Sequence, residues 1–547
     1  MPDSETGSKP AVFVRDSTGL VKNVSFIDSI AMNLGNMSVG VALGGIGIAG
    51  LAPMLFAGQD LSGVNLVMLS IISFVLSFPQ IIIYTIMSRR YPRSGGDYVY
   101  VSRQLGGPLG SVLSFMGYTM ETTAYLALVV LSTVFAIGTV GLFFTFNTTY
   151  LGLAVPSGSG PGGNPTSQFL VGAIMFAGLI AVNILKPKAG FKLVTFLTAF
   201  GFFAVLLASG VLLGAGSTGV QNYINSSGGA FAINGSQTYS IVSNSCGFNT
   251  GACSSSFSLG PTIFLLPLIA AFVYPWLNAS PAVASEIKGQ RALKWNVPIS
   301  SLLVFAFLTG SLAVMYATAG QAFTNQAYTN PTLVYGLPPA ATSFNFFTLA
   351  MGVSGNTVVA AIIGLGWILA NLSVLAYGII VISRYLLAQS LDRFLPSKLA
   401  DVSPRFGSPI IAHSVDLVIT LALVGFAAFA YSLQGGIGGA DALFGAIIAS
   451  MIYFIFVGLS AALRGIRSEK GLTKAALVLA GIANVFVFGF LSYQFLANPD
   501  VWSLKPLTYI FVIGSVVVGA LIYAYSWWSN KKRGVDISMA FKELPPE

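Results

Sequence analysis

Long apolar runs separated by short polar segments dominate the pattern of hydrophobic and polar positions along this chain. A helix needs about 20 apolar residues to cross the hydrocarbon core of a bilayer. The runs predict twelve such helices, which we call spans 1 to 12, at 25–55, 63–88, 109–145, 168–186, 190–215, 261–286, 296–319, 354–388, 409–432, 441–463, 473–496 and 506–529. They lack the alternation of apolar and polar residues that marks the strands of a membrane barrel. The pattern therefore predicts an all-α polytopic membrane protein.

Composition and charge agree with this class and give the chain an orientation. Hydrophobic residues make up 55% of the 547 residues and charged residues 8%, against about 25% charged residues in soluble domains. If the N-terminus and every second loop lie on one side, that side holds 25 of the 26 Lys and Arg residues, and Lys505 alone lies opposite. Basic loops stay in the cytoplasm, so we expect a multi-pass plasma membrane protein with both termini cytoplasmic. The net charge of +9 is then a topology signal and predicts no nucleic-acid partner.

Three of the loops assigned to the outside, at 146–167, 216–260 and 320–353, contain no charged residue. Cys246 and Cys253 lie in the second of these loops. An oxidising exterior favours a disulfide between them, and two free thiols are the alternative. The chain has a single His and no cluster of His and Cys, so we predict no enzyme active site, no metal and no cofactor.

Ionisable side chains inside a span are costly and usually functional. Glu121 lies well inside span 3. It is predicted to carry a proton or to balance a cationic group, and the alternative is a neutral acid in a hydrogen bond between helices. Asp28, Glu286, His413 and Asp416 lie close to the cytoplasmic ends of their spans, from where their side chains can reach water.

Two spans contain residues that weaken a helix. Span 1 holds the glycines Gly35, Gly40, Gly44, Gly45, Gly47 and Gly50. Each costs about 1 kcal/mol relative to Ala in a helix interior, so a break is expected, with a glycine-rich packing face as the alternative. Span 6 holds Pro275 and Pro281. Each proline removes a backbone donor and clashes with the preceding turn, and a simple kink is the alternative reading.

The positions of these two spans predict an internal repeat. The starts of spans 1 and 6 are five spans apart, an odd number, so the two halves of the chain face opposite ways. Interrupted helices at matching positions of two halves indicate an inverted repeat with a binding site near the middle of the bilayer. Unwound backbone offers amides to a carboxylate and carbonyls to an ammonium group or a cation. A zwitterion fits such a site without any charged side chain.

Three segments near span ends carry a family resemblance. Residues 91–110 include Pro-Arg-Ser-Gly-Gly-Asp-Tyr, residues 384–409 include Asp-Arg-Phe-Leu-Pro and a later Pro-Arg, and residues 284–300 include Ala-Ser-Glu-Ile-Lys-Gly-Gln. Together with the twelve spans, they resemble the amino acid–polyamine–organocation permeases. The resemblance implies a leucine-transporter-type fold with a five-plus-five inverted repeat and two additional C-terminal helices. It also implies secondary transport of amino acids or related amines by alternating access.

This interpretation divides the chain into six parts. They are a cytoplasmic N-terminal tail at 1–24, a first repeat at 25–215, an extracellular loop at 216–260, a second repeat at 261–463, spans 11 and 12 at 464–529, and a cytoplasmic C-terminal tail at 530–547.

The resemblance also implies where substrate binds. In span 1 the expected residues are Met37, Ser38, Val39, Gly40 and Val41, or in another register the glycines Gly44 and Gly45. In span 6 they are Tyr274, Trp276, Leu277 and Asn278, with Tyr274 and Trp276 as candidate gates. Sodium-coupled relatives place hydroxyl groups on span 8, where Asn371 and Ser373 are candidates for a cation site or, alternatively, for hydrogen bonds between helices. Proton-coupled relatives often carry a lysine midway along span 5, but the comparable position here is near Gly201.

The sequence therefore predicts an amino acid permease for neutral or zwitterionic amino acids. Its expected partners are the amino acid, the lipid bilayer and a coupling ion, either a proton or sodium. A polyamine or other amine carrier, an ion-independent exchanger and a channel or non-transporting nutrient sensor with the same fold are the alternatives. A polyamine site needs more than one buried acid, and Glu121 is the single deep one that the sequence suggests.

Overall fold

The fold is built from long apolar helices. The computed structural model describes residues 19–45, 63–145, 150–153, 164–228, 237–246, 249–250, 257–329, 344–431 and 439–542. Within these residues, eleven helical segments are long and apolar enough to cross a membrane. They are Phe26–Gly44, Leu66–Arg90, Gly107–Thr145, Pro165–Leu185, Pro187–Ser226, Gln290–Thr318, Thr357–Leu391, Ile410–Ala430, Ala442–Ser468, Gly471–Ala497 and Pro506–Lys532. Each corresponds to one predicted span, and they leave span 6 without a long helix.

Several of these segments are interrupted, and shorter elements connect them. The helices in the first half are α1 Phe26–Met37, α2 Val39–Gly44, α3 Leu66–Arg90, α4 Asp97–Leu105, α5 Gly107–Ser114, α6 Glu121–Thr145, α7 Pro165–Leu185 and α8 Pro187–Gly228, with a π-helical turn at Phe115–Met120 between α5 and α6. Helix α8 is kinked at Gly216 and extends into the predicted outer loop. That loop also contains α9 Thr238–Ser243 and a two-stranded antiparallel ladder of β1 Ser245–Cys246 with β2 Asn249–Thr250.

The second half continues the same pattern. Its helices are α10 Leu259–Phe264, α11 Pro267–Ala270, α12 Ala279–Ala282, α13 Gln290–Thr318, α14 Gln321–Thr329, α15 Phe346–Val353, α16 Thr357–Leu391, α17 Ile410–Tyr431, α18 Gly439–Gly445, α19 Ile447–Ser468, α20 Gly471–Ala497 and α21 Pro506–Lys532. Three 3₁₀ turns lie at Ala284–Glu286, Ser397–Ala400 and Ile537–Phe541.

Asparagine side chains begin several of the long helices. Asn65 accepts from the Met68 amide at 3.0 Å, and Asn164 and Asn356 cap α7 and α16 in the same way. Such caps satisfy amides that have no partner within the helix. The polar residues that end the apolar runs in the sequence therefore fix where these helices start.

Ion pairs tie one set of span ends together. Arg90 after span 2 and Arg464 after span 10 share the carboxylate of Glu469 at 2.8 and 3.2 Å. Arg103, before span 3, pairs with Asp392 after span 8. We call this end of the molecule the basic end. These are among the span ends that the charge count places on one side, so the described structure agrees with their alternation.

The opposite end joins the other span ends. The Asn65 amide donates to Gln321 at 3.2 Å, which links the start of span 2 to the end of span 7. Near them, the Ser258 amide donates to the Gly63 carbonyl at 2.8 Å. The chain before span 6 therefore lies at the end opposite to the basic end.

Span 6 crosses the molecule in broken form. It begins beside Gly63, and its last residue, Glu286, accepts a hydrogen bond from the Val24 amide at 3.0 Å, next to the start of span 1. Residues 271–278 between α11 and α12 are not helical, so this span is interrupted near its two prolines. Twelve crossings arranged as a five-plus-five repeat remain a prediction.

Candidate functional site

The first interruption lies at Ser38, between α1 and α2. Its backbone has φ +34°, in the left-handed region, which a residue other than Gly rarely adopts. The Ser38 amide donates to the Leu34 and Gly35 carbonyls, both at 3.1 Å, and α2 resumes at Val39. The break therefore falls on a serine, within the first of the two registers considered, at 37–41.

The glycines of span 1 serve close packing. A Cβ on Gly40 would lie 2.3 Å from the Ala370 Cβ, and one on Gly44 would lie 2.5 Å from the Trp367 ring nitrogen. Both contacts are with span 8. Gly45 ends α2 and faces the Ser132 hydroxyl. The alternative reading of a glycine-rich packing face therefore holds for Gly40 and Gly44, whereas Gly47 lies outside the described residues.

The second interruption is longer. After Ala270 the chain leaves the helix, and it turns through residues 271–278 before α12 begins. The Leu277 amide donates to the Pro275 carbonyl at 2.9 Å, a tight turn that no helix contains. The backbone amides of Trp276 and Asn278 donate to no other described residue. Pro275 therefore lies inside an unwound segment, which the simple-kink reading does not describe.

Amide side chains join the two interruptions inside the protein. Asn36 donates to Asn278 Oδ1 at 3.0 Å. Asn33 donates to the Ser280 hydroxyl at 2.8 Å and accepts from the Ser280 amide at 2.9 Å. All four residues are buried. The broken parts of spans 1 and 6 therefore lie against each other, as the inverted-repeat argument requires.

Aromatic rings border the same place. The Trp276 ring stacks on Tyr125 of span 3, with centroids 5.8 Å apart and planes 8° apart, and the Tyr125 hydroxyl lies 3.5 Å from the Ser38 hydroxyl. Tyr274 instead turns toward span 2 and shares a hydrogen bond of 2.8 Å with Ser70. Of the two gate candidates, Trp276 is the one whose ring partner reaches the first break.

Met37, Val39 and Val41 around the first break, and Leu277 in the second, are all buried. Ser38 itself is 6% exposed. The junction between the two breaks is therefore closed to solvent in this structure.

Asp97 is a functional candidate that the sequence reasoning missed. Its side chain is fully buried and accepts hydrogen bonds from Tyr453 at 2.9 Å, from Asn278 at 3.2 Å, and from Tyr84 and Tyr385. Burial raises the pKa of the Asp97 carboxyl, and these hydrogen bonds oppose part of that rise. Asp97 thus connects spans 2, 8 and 10 directly to the second break. The presence of an acid within the Ser-Gly-Gly-Asp-Tyr motif was the sequence feature that could have identified Asp97 as a candidate.

The glycines of that motif allow the loop to lie on span 6. Gly95 has φ +86° and Gly96 has φ +46°, values that favour glycine. The Gly95 amide donates to the Ala282 carbonyl at 2.9 Å, and a Cβ on Gly96 would lie 3.0 Å from the Ala282 amide nitrogen. Residues 94–96 therefore cover the second break from the basic end.

Two buried ion pairs connect the three family motifs. Arg384 donates to the Glu286 carboxylate at 2.7 and 3.0 Å, and these side chains are 2% and 3% exposed. Arg103 donates to both oxygens of Asp392, which also accepts from Tyr98 at 2.8 Å. The motifs, far apart in sequence, thus form one layer between the junction and the basic end.

Glu121 is buried close to the junction. It follows the π-helical turn at 115–120, and its Oε2 atom has no hydrogen-bond partner among the described residues. Its neighbours are Thr122 and Ser450, and Tyr125 lies one turn further along α6. Proton transfer by this buried acid stays a prediction.

The span 8 candidates already have partners within the protein. Asn371 donates to the Trp367 carbonyl and accepts from the Ser132 hydroxyl, both at 2.9 Å. The Ser373 hydroxyl donates to the Ala370 carbonyl at 3.0 Å. Asn371 therefore forms the hydrogen bond between helices that was the alternative to a cation site.

Four acids and bases expected to reach water are instead buried. They are Asp28, Glu286, His413 and Asp416, which are at most 3% exposed. Asp28 accepts from Lys192 at 2.9 and 3.0 Å and from Thr195 at 2.6 Å, so a partner replaces the water. The expectation was wrong because neighbouring span ends, which a single span does not reveal, cover these positions.

The disulfide remains a prediction, since Cys253 and the side chain of Cys246 lie outside what the structure describes.

These features define a multi-pass helical membrane protein whose two interrupted helices meet at a buried polar junction. A family model described as "Amino acid permease" matches residues 24–520. The chain belongs to this family, and with it to the amino acid–polyamine–organocation permeases that the motifs resemble. Members of the family are transporters. The chain is also similar to "Uncharacterized protein 399" of Sulfolobus islandicus rod-shaped virus 1, with 20% identity over 93% of this chain and 96% of that protein.

Proposed function

We propose that this permease is a secondary active transporter that moves neutral or zwitterionic amino acids across the plasma membrane by alternating access. The observation that carries the proposal is the meeting of two interrupted helices at the Asn36–Asn278 hydrogen bond of 3.0 Å. Interrupted helices at matching positions of two halves are a feature of substrate sites in secondary transporters. We assign substrate binding to the space between Ser38 and residues 271–278.

The chemistry of the junction favours a zwitterion. Helix α1 ends at Met37, and the C-terminal end of a helix attracts positive charge, whereas free amides attract negative charge. The amides of Trp276 and Asn278 lie across from that end and donate to no other described residue. A substrate ammonium group near α1 and a carboxylate near these amides would satisfy both, and neither interruption contributes a charged side chain.

An amine carrier remains the second candidate, because Asp97 adds a second buried acid to Glu121. Asp97, however, accepts four hydrogen bonds from side chains of the protein. A cationic substrate would have to displace them. The junction therefore supports an amino acid over a polyamine.

Proton coupling is the mode that the buried groups favour. Glu121 is fully inside the protein, and one of its oxygens has no partner among the described residues. Sodium coupling through span 8 has less support, since the Asn371 side chain is occupied by Ser132 and Trp367. We propose that Glu121 exchanges the coupled proton.

The proposed orientation follows from the basic end. Arg90, Arg103, Arg384 and Arg464 all lie there, and basic residues at span ends favour the cytoplasmic side. The layer formed by Asp97 and the three motifs then lies between the junction and the cytoplasm. It is the part of the protein that must rearrange to release substrate inward.

Uptake by proteoliposomes tests the function directly. Purified protein is reconstituted, and a panel of labelled amino acids and polyamines is added with a proton or a sodium gradient imposed separately. We expect accumulation of a neutral amino acid that depends on the proton gradient and disappears when the gradient is collapsed. Accumulation of polyamines alone would contradict the substrate assignment. Binding of an amino acid without flux under any gradient would identify a sensor.

A further inference from the structure

A large cleft opens at the basic end, away from the proposed substrate site. It has a volume of about 1140 Å³ and lies between the ends of spans 2, 3, 10 and 12 and the C-terminal segment. Its walls include Arg90, Arg103, Arg464 and Lys542. We call it the basic groove. Part of its wall, including Arg103, belongs to the layer of motifs, but the transport proposal assigns no role to the open cleft itself.

The charge of the groove is positive after its ion pairs are counted. Arg90 and Arg464 share the single carboxylate Glu469, and Arg103 pairs with Asp392. Lys542 adds a further positive charge, and the described lining includes no carboxylate. Asp536 lies near Lys542 beside the groove and offsets part of its charge. Four basic side chains therefore face three acids outside the lining, which leaves an excess of one positive charge.

Aromatic side chains line the part of the groove that faces the lipid. Tyr523 and Trp527 of span 12 belong to its wall, and Trp527 is 47% exposed. Lys531 lies 4.8 Å from the Trp527 ring and Lys532 lies 3.6 Å from the Trp528 ring. Trp and Tyr concentrate at the level of lipid headgroups. The groove therefore opens where headgroups lie.

The C-terminal segment closes the groove on its other side. The turn Ile537–Phe541 places Phe541 against Gly107, where a Cβ would lie 2.2 Å from the Phe541 ring. The Arg103 guanidinium lies 5.7 Å from the same ring and its side chain is 4% exposed. The floor of the groove is thus a buried cation beside a packed aromatic ring.

A second cavity at the same end lacks this combination. Its volume is about 560 Å³, and Lys186, Lys188 and Lys192 line it. The carboxylate of Glu286 is also in its wall, and its described lining contains no Trp or Tyr. The first cavity therefore presents the stronger site for an anion attached to an apolar chain.

We propose that the basic groove binds an anionic phospholipid of the adjacent leaflet. Its phosphate contacts the basic rim formed by Arg90 and Lys542, and its glycerol and upper acyl chains pack beside Tyr523 and Trp527. Basic pockets between membrane helices on the cytoplasmic side recognise anionic headgroups in this way. Zwitterionic phosphatidylcholine carries a compensating cation and binds more weakly.

Native mass spectrometry of the full chain in detergent tests the proposal. The protein is titrated with phosphatidylglycerol, phosphatidylcholine or glycerol 3-phosphate. We expect one phosphatidylglycerol to bind in preference to phosphatidylcholine. The double variant Arg90→Gln, Lys542→Gln should weaken it by about 25-fold, since each basic residue near a membrane surface contributes about fivefold.

The matched control is Lys398→Gln, Arg405→Gln, which removes two exposed charges of the same end outside the groove. We expect it to bind phosphatidylglycerol as the parent chain does. Equal loss in both double variants, or equal binding of the two lipids by the parent chain, overturns the proposal. Displacement of the lipid by the same concentration of glycerol 3-phosphate also overturns it, because the site would then bind a free phosphate. If the first variant fails to fold, Lys542→Gln alone gives the same comparison with a fivefold effect.

Discussion

The ion pair between Arg384 and Glu286 offers the sharpest test of the layer at the basic end. It joins span 8 to the end of the second break through two hydrogen bonds, at 2.7 and 3.0 Å, and both side chains are almost fully buried. Replacing either residue by Met removes one charge and leaves the other inside the protein. Breaking a buried pair in this way costs about 3–5 kcal/mol.

That cost is large for this molecule. Folded proteins are stable by about 5–15 kcal/mol, so each single variant should lose about a fifth or more of its stability. Replacing both residues by Met removes both buried charges, and such apolar replacements of buried pairs are often neutral. We therefore expect the double variant to be more stable than either single variant.

Unfolding in mixed micelles, followed by tryptophan fluorescence, measures the three free energies. Independent sites add to within about 0.5 kcal/mol, so an additive double variant would refute the assignment of a buried, coupled pair. Asp500→Asn is the control. It breaks the pair between Asp500 and Lys505, in which Asp500 is 97% exposed, and surface pairs of this kind contribute little. We expect no measurable change there.

Three further predictions concern the junction. Trp276→Ala removes the ring that stacks on Tyr125 and should reduce uptake at least tenfold, which corresponds to about 1.4 kcal/mol. The control is Trp295→Ala, at a side chain that is 44% exposed, which should transport normally. Uptake at the parental level by the Trp276 variant would show that Trp276 is not part of the site. Asn278→Ala should cost about 1–3 kcal/mol of stability, because it leaves the buried Asn36 amide unpaired, and an unchanged unfolding midpoint would argue against that bond. Glu121→Gln should flatten the dependence of uptake on external pH while the protein still binds substrate, and a parental pH profile would leave Glu121 a structural role.

The sequence predicted the spans well, because each apolar run reports its own partition into lipid. It also placed both interruptions in the correct spans, since glycine and proline act locally on the helix that contains them. The attribution of the break in span 1 to its glycines was incomplete. The glycines fit against Ala370 and Trp367, while the left-handed residue is Ser38. Close helix packing and a break in the helix both favour a glycine-rich sequence, so composition alone did not distinguish them.

The sequence did not predict which side chains contact each other when they are far apart along the chain. Asp97 lies between spans 2 and 3 in the sequence, yet Tyr84, Tyr385 and Tyr453 bury it beneath the second break. Asp28 seemed free to reach water, yet Lys192 covers it. Each outcome depends on helices that meet only in three dimensions. A single span shows where a charge lies along the helix but does not show what packs against it.

The three motifs gain a common physical meaning from this arrangement. Arg384 and Glu286, and Arg103 and Asp392, are paired because buried single charges would be prohibitive, and each pair spans two motifs. If substrate leaves toward the basic end, water must enter this layer. Water then replaces the partner of each charge, so the pairs can separate at far lower cost than inside a dry protein. Because both ion pairs depend on the exclusion of water, we expect them to separate together when water enters the layer. We therefore expect Arg384→Met and Glu286→Met to alter access to the junction as well as stability. A cysteine placed at Ala282, which is buried in this structure, would report that access by the rate at which it is labelled. If the cysteine is labelled equally in these variants and in the parent background, the ion-paired layer does not control access to the junction.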